Sequence, residues 1–463
     1  MRSMTLNANN PNIPSLIVRG GFIATVNSRR DVLKNSAVVI TNREITEIGD
    51  FEKIYQKFPG VSVIGTPTSV VTPGYINAHQ HLTGDRFLRS AIPDTISSND
   101  AIFKWVVPLH ELLTATDDHL SATAGLVEAL SNGVTFTVEA GTVAHPHEVA
   151  RAFVDVGARG TVGRWGWDIG QGPQVGPASV VLERQKQLLE DFRSKISDNL
   201  VTAWVTLVGH DLMSDDLLTT ASQLARDYQT HLTFHIAPHD EDVKSYLART
   251  GKRPINHFHD LGVLGDHVLL AHAVHIDETE ANLIIETGTA VVSCPWAYLR
   301  LAQGITGFGR HADLMRRNAR IALGCDSENA GDAIDMIRTA SLFTGLTRDG
   351  ERDFAITSAH DALDLLTIRG AQAIGMDHLI GSIEVGKLAD IVIHSTDGPQ
   401  WTPISPDPVL QLLWASDGRS VSDVVVNGRH VVRDGSSLMV NESELRAEVT
   451  ARAQFFLTNS NRV

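Results

Sequence analysis

The sequence predicts an α/β protein: a (β/α)8 TIM-type barrel with a small β-sandwich domain built from both chain ends. Three observations predict it. Both ends carry β-branched runs broken by turns, and neither end has enough strands to close a domain by itself. From about Val70 to about Met376, short apolar runs alternate with amphipathic helical stretches. The residues that end those apolar runs are polar, histidine above all.

In chain order, Ser15–Val26, Ala37–Thr41 and Glu44–Ile48 read as strands, punctuated by Gly20-Gly21 and Asn42-Arg43. Eight further strands follow: Val70–Asn77, Val134–Glu139, Gly160–Arg164, Val201–Leu207, Leu232–His235, Val268–Ala271, Ala290–Ser293 and Ile321–Gly324. Most are apolar on both faces, as a parallel sheet covered by helices requires. A doubly wound open sheet is disfavoured, because no glycine-rich phosphate loop follows the first strand. Ala389–His394 and Val424–Val432 return to the texture of the N-terminus, the latter turning at Asn427-Gly428. The expected divisions are 1–70 and 381–463 for the two parts of the small β-domain and 71–380 for the barrel.

Of 463 residues, 39 are Lys or Arg and 54 Asp or Glu, a formal charge of −15 that disfavours a nucleic-acid or anionic-membrane partner. The expected partner is a small-molecule substrate. Two cysteines, Cys294 and Cys325, make no disulfide framework and read as two buried thiols. Met1–Ser15 lacks the pattern of a secretory signal, and no apolar run approaches the roughly 20 residues of a membrane helix. The location expected is cytoplasmic.

Reading the strand ends in order gives His79 and His81, Glu139, Trp165 and Trp167, His210, His235, His272, Cys294 and Asp326. His79 and His81 are two apart, so at a strand end both rings point to one side. With His235 and Asp326 at two further strand ends, three neutral nitrogens and one carboxylate make a mononuclear metal site with room for water. Such a donor set accepts zinc first, with iron, manganese or cobalt as alternatives. A bound metal lowers the pKa of water from about 15.7 to about 7. Asp326 is placed to bind the metal and take the proton, and His272 to hold the water or polarise the substrate. His275 reads as a helix start. His145 and His147 read as surface, as do Asp215-Asp216 and the helical stretch Glu183–Lys195.

The segment Val71-Thr72-Pro73-Gly74-Tyr75-Ile76-Asn77-Ala78-His79-Gln80-His81 resembles the opening metal motif of the amidohydrolase superfamily. Ala271-His272-Ala273-Val274-His275 and Leu323-Gly324-Cys325-Asp326 resemble its later motifs, and Gly381–Asp390 the segment that re-enters the small β-domain. The resemblance runs from about Leu16 to Gly435, in the family's order. It is greatest to the one-metal branch of cytosine, guanine and adenosine-type deaminases and triazine hydrolases, since no lysine ends the fourth strand. It implies that His79, His81, His235 and Asp326 bind the metal, that His272 assists the water, and that His210 contacts substrate. Members of this family are often homo-oligomers.

Two departures shape the functional expectation. Where the deaminases carry His-x-x-Glu, this chain has His235-Ile236-Ala237-Pro238, and proline cannot shuttle a proton to a ring nitrogen. Where they carry Ser-Asn, it has Cys294-Pro295-Trp296-Ala297-Tyr298. Trp165, Trp167, Trp296, Tyr298 and His239 are then candidates to line an apolar pocket, with Phe87–Trp105 as its lid. The expected activity is hydrolysis of an amide, urea or carbamate-type carbonyl C–N bond, similar to phenylurea and molinate hydrolases. The alternative is an aminohydrolase of an N-heterocycle such as a purine, pyrimidine, pterin or triazine, with Glu241 or His239 in place of the missing shuttle.

Overall fold

The computed structural model describes residues 14–172, 174–193 and 199–459. Most of Met1–Ser15 and the end of the Glu183–Lys195 stretch lie outside the described residues. Strands in chain order are β1 (Leu16–Ala24), β2 (Val32–Thr41), β3 (Glu44–Asp50), β4 (Val63–Ile64), β5 (Val70–Pro73) and β6 (Tyr75–Gln80). Then come β7 (Val134–Glu139), β8 (Arg159–Val162), β9 (Val201–Ala203), β10 (Val205–Gly209), β11 (Leu232–Ile236) and β12 (Val268–His272). The last are β13 (Ala290–Ser293), β14 (Ile321–Leu323), β15 (Ile391–His394), β16 (Val421–Val426), β17 (Arg429–Arg433) and β18 (Ser436–Ser437).

Both chain ends share one sheet, in the order β18-β17-β16-β15-β5-β1-β2-β3, with β4 paired to β1. Alternation sorts its side chains: Leu16 and Val18 join Val38, Ile40, Ile391 and Val425 in one core, while Ile17 faces the other way onto Phe51 and Ile54. Asn427 and Gly428 both adopt positive φ, as the tight β16–β17 hairpin requires.

The barrel runs β6-β7-β8-β9 and β10-β11-β12-β13-β14, all parallel. β9 and β10 are one strand interrupted at Trp204, whose N–H still reaches Val162 O at 3.0 Å. The circle closes where Gln80 bridges Asp326. Phe136, Val138, Leu269, Val292 and Ala322 fill one apolar cluster, and helices cover the outside through Leu126, Phe153, Leu217 and Ile284.

One expected strand is corrected. Val70–Asn77 is two strands in two sheets: β5 pairs with β15 in the small domain, and β6 opens the barrel. The chain crosses between them at Gly74, where a Cβ would fall 2.0 Å from Thr135 Oγ1 and where the N–H reaches Asp390 O at 2.8 Å. Among the described residues no helix is long and apolar enough to cross a membrane.

Candidate active site

The polar strand ends converge on one face. His79 and His81 emerge where the β6–β7 ladder shifts register between Asn77 and Gln80. His235 lies within β11, His272 ends β12, and Asp326 follows β14 with its N–H on His79 O at 3.0 Å. The backbone is strained here. His272 (φ 77°), Asp326 (66°), His210 (54°), Ala273 (50°) and Ala237 (47°) all occupy the left-handed region without being glycine.

His81 and His235 face each other with Nε2 atoms 3.2 Å apart. Asp326 Oδ1 lies 3.6 Å from His79 Nε2 and 3.5 Å from His81 Nε2, and Oδ2 lies 4.0 Å from His272 Nε2. Ligating atoms of His79, His81 and His235 lie within 4.8 Å of one another, as do those of His79, His272 and Asp326. All five side chains are buried.

Burial and the neighbouring imidazoles push His81 down to about 3 and His235 well below the usual range. Burial likewise pushes His272 down to about 3, against the pull of Asp326. Burial opposes ionisation of Asp326, but the surrounding imidazoles outweigh it and hold the carboxyl well below its usual range. His81, His235 and His272 are therefore neutral imidazoles beside an anion. His235 Nδ1 donates to Val208 O at 2.6 Å, which leaves its Nε2 lone pair facing inward. Neither ring nitrogen of His79, nor Nδ1 of His272, has a hydrogen-bond partner although both rings are buried. Inward, proton-free nitrogens beside a carboxylate fit one divalent metal ion.

The rim is less convergent than the floor. His210 stacks on His235 (centroids 5.3 Å apart) and holds Nδ1 3.1 Å from Asp242 Oδ2, whose carboxylate also accepts the Ala237 N–H. Burial alone would lower the His210 pKa, but the Asp242 charge raises it on balance. Trp165 meets His81 edge-on at 5.2 Å and lies 6.0 Å from His235. Its Nε1 donates to Ala140 O at 2.6 Å.

The other aromatic candidates go elsewhere. Trp167 is buried against the turn at Gly172. Tyr298 is buried 5.8 Å from the His272 ring with its hydroxyl on the Val292 carbonyl, and Trp296 lies under the Arg338 guanidinium beside a separate surface cleft. His239 is half-buried, between Ser98 Oγ at 3.1 Å and Gln303 Nε2 at 3.4 Å. Glu241 is exposed in the first turn of helix Asp240–Thr250, so it does not fold back as a shuttle.

His275 reaches Gln303 O at 2.8 Å. His147 is exposed, and His145 bonds Asp118 at 2.7 Å. Cys294 and Cys325 are free, buried thiols. The Phe87–Trp105 segment carries helix Ser98–Ala101 and most of a π-helix, Ile102–Val106.

Two residues beside the pocket had escaped sequence reasoning. Asp242 hides in an acidic helix turn, Asp240-Glu241-Asp242, where only packing singles it out. His110 is buried, with Nε2 unpartnered and its ring 5.9 Å from Trp165. No local pattern marks it.

Comparison with known proteins places this geometry. The chain is 27% identical over 434 residues to a 5-methylthioadenosine/S-adenosylhomocysteine deaminase of Syntrophobacter fumaroxidans, covering 94% of this chain and 96% of that protein. Its fold matches a zinc-bound adenosine deaminase from Xanthomonas campestris (TM-score 0.90, 23% identity, 98% and 100% of the two chains). It also matches a zinc-complexed atrazine chlorohydrolase from Arthrobacter aurescens (TM-score 0.86, 21% identity, 95% and 100%).

The Syntrophobacter relative overturns the expected amide, urea or carbamate hydrolysis, because a near full-length match is to a deaminase. That expectation rested on Pro238 and on the Cys294–Tyr298 segment, while the metal donors are common to both readings. The amidohydrolase family matches residues 70–431, and the chain belongs to it: an enzyme of the hydrolase class acting on C–N bonds.

Proposed function

We propose that this chain is an aminohydrolase that removes the exocyclic amino group of an N-heterocycle, of the 6-aminopurine nucleoside type, with zinc as its metal. One observation carries the reading: the buried His79, His81, His235 and Asp326 side chains converge in a chain aligned over 94% of its length with a nucleoside deaminase. When bound, the ion supplies Lewis acidity that makes water a competent nucleophile at neutral pH.

The chain's own residues do the rest. Water adds to the ring carbon as the C=N π pair moves onto the ring nitrogen; the bond to the exocyclic nitrogen then breaks, one water proton leaving with ammonia and the other ending on the ring nitrogen. Asp326, anionic and within 4.0 Å of His272, accepts the proton from water and returns it to the departing amine. His272 orients the water. His210, held at Nδ1 by Asp242, offers its other nitrogen to the heterocycle, taking the contact that Pro238 cannot make. Trp165 packs beside the ring. We extend the proposal to a cytoplasmic homo-oligomer, on the family resemblance; a light-scattering mass of a single chain would remove that part.

The test is ammonia release from zinc-loaded protein given adenosine, S-adenosylhomocysteine, guanine and cytosine in parallel. Ammonia with conversion of the adenine spectrum to that of hypoxanthine is expected. Absence of ammonia from every substrate overturns the proposal, and ammonia from guanine or cytosine alone moves the substrate class.

A further inference from the structure

The barrel is joined most thinly where its last strand meets its first. β11 and β12 share five paired residues, and β12–β13 and β13–β14 share three each. β14 reaches β6 through the Gln80–Asp326 bridge and through Cys325 N–H on Asn77 Oδ1 at 3.1 Å. The metal-facing groups divide across this same seam, His79 and His81 on one side and Asp326 on the other.

Side chains close what the backbone leaves open. In the segments that follow the two strands, where Asp85 and Arg86 open the short helix Asp85–Leu88, Asn329 Nδ2 donates to Asp85 Oδ1 at 3.1 Å, and Arg86 Nε lies 2.8 Å from Glu328 Oε2. Ser90 Oγ donates to Asp332 Oδ2 at 2.7 Å. Glu328 is 1% exposed and neither of its oxygens has an aligned hydrogen bond, so Arg86 and, at 3.7 Å, Arg89 are the cations that offset its burial. The chain of contacts ends on the metal-facing carboxylate: Ser327 Oγ donates to Asn329 Oδ1 at 2.6 Å, and Ser327 N–H to Asp326 Oδ1 at 2.7 Å.

We propose that Asp85, Arg86, Glu328 and Asn329 are positioning residues that set the separation of Asp326 from His79 and His81, so that metal binding and closure of this seam are one coupled event. The inference rests on reading the histidine cluster as a metal centre. Coupling is reciprocal: loosening the seam weakens the metal, and the metal stiffens the seam.

The test uses zinc alone, with its Kd from competition against a chromophoric chelator and with melting temperatures of the metal-free and zinc-loaded full chain. Glu328→Gln and Asp85→Ala are expected to weaken zinc about 10- to 100-fold, the range for outer-shell partners of a metal site. They should also shrink the rise in melting temperature on loading. Asp85→Asn keeps an acceptor for Asn329 and is expected to bind zinc as the wild type does.

Glu280→Gln is the control. Glu280 is a buried carboxylate in helix Glu278–Thr287 of the barrel's outer layer, 2.7 Å from Arg253, so its loss should lower both melting temperatures and leave zinc Kd unchanged. Should Glu328→Gln fail to fold, the Asp85→Ala and Asp85→Asn pair decides. A zinc Kd within twofold of wild type in Glu328→Gln and Asp85→Ala overturns the inference. So does equal weakening by Glu280→Gln. No zinc binding by the wild type overturns the metal reading with it.

Discussion

Asp326 and Glu139 are two carboxyls at barrel strand ends, on β14's side and at the end of β7, and both are buried. Around Asp326 stand His79, His81 and His272, and its carboxyl is held well below the usual range. Around Glu139 stand the Gly141 N–H at 3.1 Å, Thr142 and the charge of Asp118, and one carboxyl oxygen has no partner. Burial pushes Glu139 up to about 8. Similar desolvation yields an anion in one place and a neutral acid in the other, because partners decide which protonation state burial can tolerate. Position at a strand end therefore does not by itself mark a catalytic carboxylate.

The sharpest way to break this contrast is to remove the anion without changing its shape. Asp326→Asn keeps the size and loses both the charge and the proton acceptor. Turnover should fall by roughly 10²–10⁴-fold, the range for losing a general base, and zinc retention should fall with it. Wild-type turnover in Asp326→Asn, measured as ammonia release, would take Asp326 out of the chemistry. Stripping the metal with a chelator should abolish turnover just as fully, and added zinc should restore it. Activity that survives complete removal of metal would leave the histidine cluster without its proposed purpose.

A smaller effect is expected one step outward. Asp242→Asn weakens the hold on His210 Nδ1 and leaves the metal-facing set intact, so kcat/KM should fall about 10-fold, as for a lost charge-assisted hydrogen bond of about 1.4 kcal/mol. Zinc Kd should not move. A change in zinc affinity equal to the loss in kcat/KM would place Asp242 with the floor of the pocket rather than its rim.

The contrast between floor and rim also describes what could be read from the sequence. His79, His81, His235, His272 and Asp326 follow apolar runs that read as strands of a parallel sheet, and strand ends in a barrel share one face. Their convergence needed no knowledge of loops. The rim depends on loops and helix phase. Trp296 and Tyr298 are two apart in helix Pro295–Arg300, so one turns to Arg338 and the other into the core. Asp242 reaches His210 only because helix Asp240–Thr250 starts beside the end of β10. The split of Val70–Asn77 was hidden for a similar reason, since Thr135, 61 positions beyond Gly74, is what leaves no room for a side chain there. Pro238 and the Cys294–Tyr298 segment point away from deamination, and the metal-facing set, common to both readings, does not decide between them.

The neutral carboxyl gives the quietest prediction, in stability rather than rate. Glu139 has a folded-state pKa of about 8 against an ordinary 4.5, so between those values the native chain holds a proton that the unfolded chain has released. Stability then falls as pH rises through that window, with a limiting slope of about 1.4 kcal/mol per pH unit from this group. Below about 4.5 both states are protonated and above about 8 both are ionised, so the contribution is flat at either end. Glu139→Gln copies the neutral form and should remove this slope. Denaturant midpoints of the two proteins should diverge steadily from pH 5 to about 8 in favour of the variant, while ammonia release at pH 7 stays within about threefold, since Glu139 has no part in the proposed proton path. Parallel midpoints across the range would mean that Glu139 is ionised in the native chain. The contrast with Asp326 would then rest on something other than the histidines.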